Sequence, residues 1–148
     1  MDHEFFTEPL DNGLAGWDWL SVQLDNGEEL MLYRIRRKDG EAGRFSSGTY
    51  VDRDGMAHFL NGGEFTLRAL RWWRSYPVDW EIVVSKLGLT LQEHSVLDNQ
   101  ELISRTGTTP SYWEGAVSYS GALKGKPISG VGYLEMTGYG QPVWLGAK

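Results

Sequence analysis

Near the end of the chain, two runs alternate with a period of two, and that spacing commits them to strands. Over Tyr112 to Tyr119, Trp113, Val117 and Tyr119 share one side, and Tyr112, Glu114, Ala116 and Ser118 the other. Over Gly130 to Tyr139, Val131, Tyr133, Glu135, Thr137 and Tyr139 face one way, and Leu134 and Met136 the other. The connection from Gly121 to Ser129 contains Gly, Lys and Pro, so it reads as a loop and the pair as a hairpin. Each run sets a glutamate among aromatic and small neighbours. Whether those carboxylates meet water or the inside of a closed sheet is the question the pattern raises.

The rest of the chain repeats the theme. Asp2 to Phe6 reads as a short strand ended by the turn Pro9 to Gly13. From Trp17 to Leu24, Asp18 shares a side with Leu20, Val22 and Leu24, opposite Trp17, Trp19, Ser21 and Gln23. Asp25-Asn26-Gly27 is a hairpin signal. The return strand, Glu29 to Arg36, opposes Met31, Tyr33 and Ile35 to Leu30, Leu32, Arg34 and Arg36. Further strands are expected over Phe45 to Val51, Met56 to Leu60 and Glu64 to Trp73, with Tyr76-Pro77 as a break. Trp80 to Lys86 and Leu89 to Val96 form another hairpin, Leu97 to Pro110 has no period, and Pro142 to Trp144 is a last short strand. No helix is read. Sequential hairpins at short spacing predict an all-β, lipocalin-like antiparallel up-and-down barrel of about eight to ten strands, because closing a meander removes its exposed edges.

The 148 residues are the size of one domain, and 19 glycines with seven tryptophans suit many short strands. A net charge of −6 argues against a nucleic-acid partner, which usually demands a basic stripe. The basic runs Arg34 to Lys38 and Arg68 to Arg74 read as solvated strand faces. Without cysteine there are no disulfides, thiolate metal sites or cysteine nucleophiles, and the scattered His3, His58 and His94 lack zinc-ligand spacing. No metal and no cofactor are expected. No Gly-x-Ser-x-Gly elbow and no phosphate or dinucleotide loop appears. The chain plunges into strand-like sequence at Met1 with no leader-like segment, which is expected of a domain cut from something longer.

Longer motifs carry a resemblance. Met-Asp-His-Glu at 1–4, Gly-Trp-Asp-Trp-Leu-Ser-Val-Gln-Leu-Asp-Asn-Gly at 16–27, Tyr-Trp-Glu-Gly at 112–115 and Gly-Tyr-Leu-Glu-Met-Thr-Gly-Tyr at 132–139 resemble the AttH-like family. That family is also labelled "predicted secreted hydrolase" and is related to the carotenoid 1,2-hydratases (hydroxyneurosporene synthase, CrtC). The resemblance implies two consecutive lipocalin-like domains, of which 1–148 would be the second, partnered by an upstream barrel. It further implies hydration or cyclisation of isoprenoid-like or other apolar alkenes, a cell-envelope or periplasmic setting in bacteria, and an association with an ABC transporter system.

Candidate chemistry is proton transfer in apolar surroundings. Asp2 and His3, with Glu4, form the densest polar cluster, serving either as an acid and base for alkene hydration or as a structural seam. Asp18, between two tryptophans, reads as a proton donor if it points inward, or as a hydrogen-bonded structural carboxylate. Glu114 and Glu135 read as a proton-sharing pair, or as partners of Arg34, Arg36, Arg68 or Arg71. Trp17, Trp19, Tyr33, Trp113 and Tyr133 are the candidates for contact with an apolar small molecule. Three functions follow from these residues: binding a hydrophobic molecule in or beside the barrel, forming part of a hydratase or cyclase, or supporting a partner barrel as a scaffold.

Overall fold

A computed structural model describes residues 13–103 and 111–140. The strands expected over Asp2 to Phe6 and Pro142 to Trp144, and the candidates Asp2 and His3, lie outside the described residues. The described chain folds into one antiparallel sheet of ten strands: β1 (Leu14–Leu24), β2 (Glu29–Arg37), β3 (Ser47–Val51), β4 (Ala57–Asn61), β5 (Thr66–Trp73), β6 (Tyr76–Val84), β7 (Leu89–Ser95), β8 (Glu101–Leu102), β9 (Tyr112–Leu123) and β10 (Lys126–Thr137). A single 3₁₀ turn, Ser85–Leu87, joins β6 to β7.

The strand order is β4-β3-β2-β1-β10-β9-β7-β6-β5, with β8 added beside the first residues of β9. This is a meander in which β1 and β10 pair through seven residues, so the sheet is continuous where its ends would otherwise part. The open seam lies instead between β4 and β5, which are consecutive in sequence. The sheet curls until Arg34 of β2 reaches the far side, where Nη1 donates to the Leu67 carbonyl of β5 at 2.9 Å. The result is the expected lipocalin-like all-β architecture, as a curled half-barrel.

Alternation decides what fills it. Leu20, Val22 and Leu24 of β1, Leu30 and Leu32 of β2, and Trp113, Val117 and Tyr119 of β9 all turn inward. They meet Tyr76, Val78, Trp80 and Ile82 of β6, Leu89 and Leu91 of β7, and Leu134 and Met136 of β10 in a single core. Trp80, Trp113 and Tyr76 are the largest of the fully buried side chains, and with their aliphatic neighbours they pack the interior of the described region.

Three boundaries differ from the sequence reading. The final hairpin turns on Lys124-Gly125 alone, with φ 51° and 76°, and Gly121 and Pro127 belong to strands. Gly121 fits a strand because a Cβ there would lie 2.0 Å from the Thr90 carbonyl oxygen of β7, and only glycine permits that approach. Tyr76-Pro77 opens β6 instead of breaking the sheet. Pro77 stands opposite Trp72 at an irregularity in the β5–β6 ladder, a position that tolerates a missing N–H. Between Leu97 and the next long strand, Glu101–Leu102 adds to β9 as a short strand.

Gly132 is the tightest glycine position on β10. A Cβ there would sit 1.9 Å from the Ser21 carbonyl oxygen and 2.9 Å from the Tyr119 ring, whose hydroxyl donates to that same oxygen at 3.0 Å. Gly132→Ala is therefore expected to cost about 1–3 kcal/mol through forced displacement of β1 and Tyr119. A urea midpoint unchanged from wild type would contradict this.

Candidate functional site

The alternation of β1, β2, β9 and β10 lays one row of side chains across four adjacent strands on the outer face. Trp19 pairs with Tyr33 on one side and Glu135 on the other, and Glu135 pairs in turn with Glu114. The neighbouring rows add Trp17 and Tyr112 at one side and Tyr133 at the other. Six of the expected residues, Trp17, Trp19, Tyr33, Glu114, Tyr133 and Glu135, are thus gathered on a single surface. Period-two spacing assigns each of them its face, and the β1–β10 pairing sets them side by side.

Two carboxylates directly opposite each other on neighbouring strands stand roughly 5 Å apart at Cβ, and such like-charged pairs are ordinarily destabilising. Both residues are half-buried. Trp17 Nε1 donates to Glu135 Oε1 at 2.9 Å, which fixes that carboxylate beside the indole. Glu114 has no ion pair among the described residues. Burial raises the pKa of Tyr112, and the negative charges of Glu114 and Glu135 raise it further. Tyr133 is raised for the same reasons, burial first and then Glu114. The phenols therefore stay protonated as donors next to two carboxylates. The arrangement sets two apposed, half-buried carboxylates beside aromatic rings on the outer face of the sheet.

Asp18 lies on the opposite side of β1, fully buried. Arg34 Nη2 and Nε reach Oδ2 at 2.7 and 2.8 Å, and Arg36 Nε reaches Oδ1 at 3.2 Å. Arg36 also donates through Nη2 to the Thr137 carbonyl. Arg34 lies 4.9 Å from the centre of the Trp80 ring and Arg36 3.6 Å from that of Tyr139, geometries that favour cation–π attraction. The carboxylate points inward and is engaged by two guanidiniums, so its geometry is that of an ion-paired strut at one end of the barrel. Arg34 and Arg36 thus serve Asp18, while Arg68 pairs with Glu81 and Arg71 with Asp79 and Asp98. Among the described residues, none of the four arginines forms an ion pair with Glu114. Trp113 is separate again: it is buried in the core, and its Nε1 donates to the Asp98 carbonyl at 2.7 Å.

Glu93 is a residue that the sequence reading passed over. It is fully buried between its cross-strand neighbours Trp80 and Tyr119, and neither carboxyl oxygen has a hydrogen-bond partner of ordinary geometry among the described residues. Burial, and then the charge of Asp79, push its pKa to about 9, against a smaller opposing pull from Arg71. It is therefore a neutral carboxylic acid at pH 7. Its signal was present in β7, where Leu89, Leu91 and Glu93 share a face that is otherwise apolar.

The profile of the AttH-like family matches residues 1–139. The chain belongs to the AttH-like family. An AttH from Nitrosomonas europaea is similar in structure, with 36% identity and a TM-score of 0.77 over 89% of this chain and 41% of that one. Kievitone hydratase from Nectria haematococca shares the fold at 19% identity, with a TM-score of 0.69 over 86% of this chain and 40% of that one. A stretch of 61 residues is 38% identical to kievitone hydratase of Fusarium solani subsp. phaseoli, covering 41% of this chain and 17% of that protein. The AttH-like chain thus spans less than half the length of each.

Proposed function

We propose that this AttH-like chain is the lipocalin-like part of a hydratase-related protein and binds an apolar, alkene-bearing small molecule beside the barrel. The ligand lies on the outer face of β1, β2, β9 and β10. The observation that carries this reading is the row Tyr33–Trp19–Glu135–Glu114, an aromatic shelf ending in two apposed carboxylates. The packed core leaves a site beside the barrel as the better choice than one within it. Kinship with an enzyme named for the hydration of kievitone favours a substrate on which proton transfer is the chemistry.

In that chemistry, one glutamate of the pair donates a proton to the alkene while its neighbour takes one from the attacking water. Trp17 holds Glu135 in place, and Tyr112 and Tyr133 supply donors near the developing charge. An upstream lipocalin-like domain would cover the face and exclude bulk water, strengthening each electrostatic contact.

Titration of the 148-residue chain with kievitone and with a simple isoprenoid alkene, followed by tryptophan fluorescence, tests the proposal. Saturable quenching is expected, with affinity falling about tenfold or more in Trp19→Ala, by loss of buried aromatic area. Glu135→Gln should retain binding while abolishing any hydrated product detected by mass spectrometry. No saturable binding of either compound would leave the scaffold reading, which the packed interior favours.

A further inference from the structure

The cross-strand row that carries the proposed site does not end at Tyr33. Tyr33 stands opposite Ser47 of β3, and Ser47 opposite Asn61 of β4. One row therefore runs Asn61–Ser47–Tyr33–Trp19–Glu135–Glu114 over six strands of the outer face. Its end away from the glutamates opens into a groove of about 640 Å³, where Ser47 and Asn61 join Arg44, Phe45, Phe59 and Gly62 in the lining. One wall is the connection between β2 and β3, which is clamped along β2 at Ile35. Gly43 donates its N–H to the Ile35 carbonyl at 2.8 Å, and the buried Ser46 hydroxyl accepts the Ile35 N–H at 3.0 Å. A Cβ at Gly43 would lie 3.0 Å from Ile35 Cγ2, so the connection sits directly on a side chain that shares the face of Tyr33.

The lining defines what the groove can hold. Phe45 and Phe59 stand 66% and 64% exposed, which offers apolar contact on both sides of the row's end. Among the described residues, Arg44 is the single charged group in the lining, and it forms no ion pair. Its guanidinium lies 4.5 Å from the centre of the Phe45 ring. The acidic residues nearby are engaged or placed elsewhere. Glu64 accepts from Lys86 Nζ at 2.9 Å and from the Asn61 N–H at 2.8 Å, and Glu41 does not line the groove. A free guanidinium beside exposed rings, in a chain of net charge −6, is complementary to an anion with an apolar body. Its planar fork matches a carboxylate through two parallel hydrogen bonds, whereas a phosphate usually gathers several donors.

We propose that this groove is the head-group subsite of the outer-face ligand, and that the ligand is an elongated unsaturated carboxylate. The inference rests on the outer-face reading above and narrows it from apolar alkenes in general to amphipathic acids. Arg44 takes the carboxylate, Phe45 and Phe59 flank the first carbons, and the hydrocarbon chain follows the row over Tyr33 and Trp19 toward Glu135. Neighbouring strands lie about 4.8 Å apart, so the three intervals from β3 through β2 and β1 to β10 cover about 14 Å along the face. A long-chain acid bridges that span. A neutral hydrocarbon of the same length would leave Arg44 without a partner, so charge at one end is what the groove selects.

Palmitoleate and its uncharged counterpart palmitoleyl alcohol test this, each titrated below its aggregation threshold into the 148-residue chain and followed by tryptophan fluorescence. The acid should bind about tenfold more tightly than the alcohol, the size of one charge-assisted pair. Arg44 is exposed, so Arg44→Gln should leave the fold intact while abolishing that preference. Arg53→Gln, at an arginine outside the groove, should preserve it and so exclude a general attraction to positive charge. Phe59→Ala should weaken acid and alcohol alike. In amide NMR spectra, palmitoleate should shift Ser47 and Gly62 in wild type and not in Arg44→Gln. Equal affinity for the two compounds, or an acid preference that survives Arg44→Gln, overturns the head-group assignment while leaving Trp19-dependent binding on the outer face standing. Absence of saturable binding by either compound overturns both readings.

Discussion

Glu93→Leu is expected to stabilise the chain by several kcal/mol at pH 8 and to flatten the alkaline limb of its stability curve. Glu93 is protonated in the folded state up to about pH 9, whereas an unfolded glutamate loses its proton near 4.5. Between those values the native state holds a proton that the unfolded state has released. Stability therefore falls by about 1.4 kcal/mol per pH unit as pH rises through that window. The contribution is fully present below the unfolded value, and the loss is complete above the folded one. Leucine removes both the titration and two unsatisfied buried oxygens while filling a similar volume between Trp80 and Tyr119. Carboxylates held low by partners, such as Asp52, Asp79 and Asp98, act in the acid range and leave this window to Glu93. Urea midpoints at pH 5, 7 and 9 supply the check. The variant's advantage should be smallest at pH 5 and grow with pH above it, and parallel curves would show that Glu93 is not the titrating group.

Asp18→Ala should have the opposite sign and a comparable size, a loss of about 3–5 kcal/mol. The carboxylate is fully buried, while Arg34 and Arg36 are only 20% and 15% exposed at their side chains. Removing it leaves two guanidiniums facing each other with their Asp18 hydrogen bonds unmade, and the remaining carbonyl and aromatic contacts do not neutralise them. The pairing also crosses the barrel, since Arg34 continues to the Leu67 carbonyl of β5, so the loss spreads to the seam. Chemical denaturation measures it directly. A triple variant in which Asp18, Arg34 and Arg36 all become apolar should recover much of the loss, because a buried ion pair stabilises little relative to a hydrophobic replacement. If Asp18→Ala alone cost under about 1 kcal/mol, the triad would be no more than a surface pair.

The two residues show how far pattern reading reaches. Asp18 shares the side of Leu20, Val22 and Leu24, and that parity is enough to place it inside. Its partners are different. Arg34 lies opposite Asp18 in the β1–β2 register, and Arg36 is two pairs further along, opposite Gly16 and just before the irregularity between Leu14 and Gly16. Sequence spacing alone offered Arg34 and Arg36 equally to Glu114 and Glu135, because a face assignment on one strand says nothing about which strand lies beside it. Glu93 fared worse. An alternating strand with a single carboxylate on its apolar side is ambiguous until burial shows whether water or a cation reaches it.

The amino-acid sequence carries the all-β class, the hairpin succession and which side chains of a strand share a face. These follow from strand periodicity and turn chemistry, which are local. It also put Glu114 and Glu135 on adjacent hairpin strands, while their direct apposition follows from the tight turn at Lys124-Gly125. Long-range pairing, by contrast, set β1 against β10, opened the sheet at β4 and β5, and gathered the inward residues into one core. Those outcomes depend on long-range pairing and on summed side-chain volume, neither of which any local window carries. The outer-face row owes something to both: its members were chosen by periodicity, and they became neighbours when β1 docked onto β10.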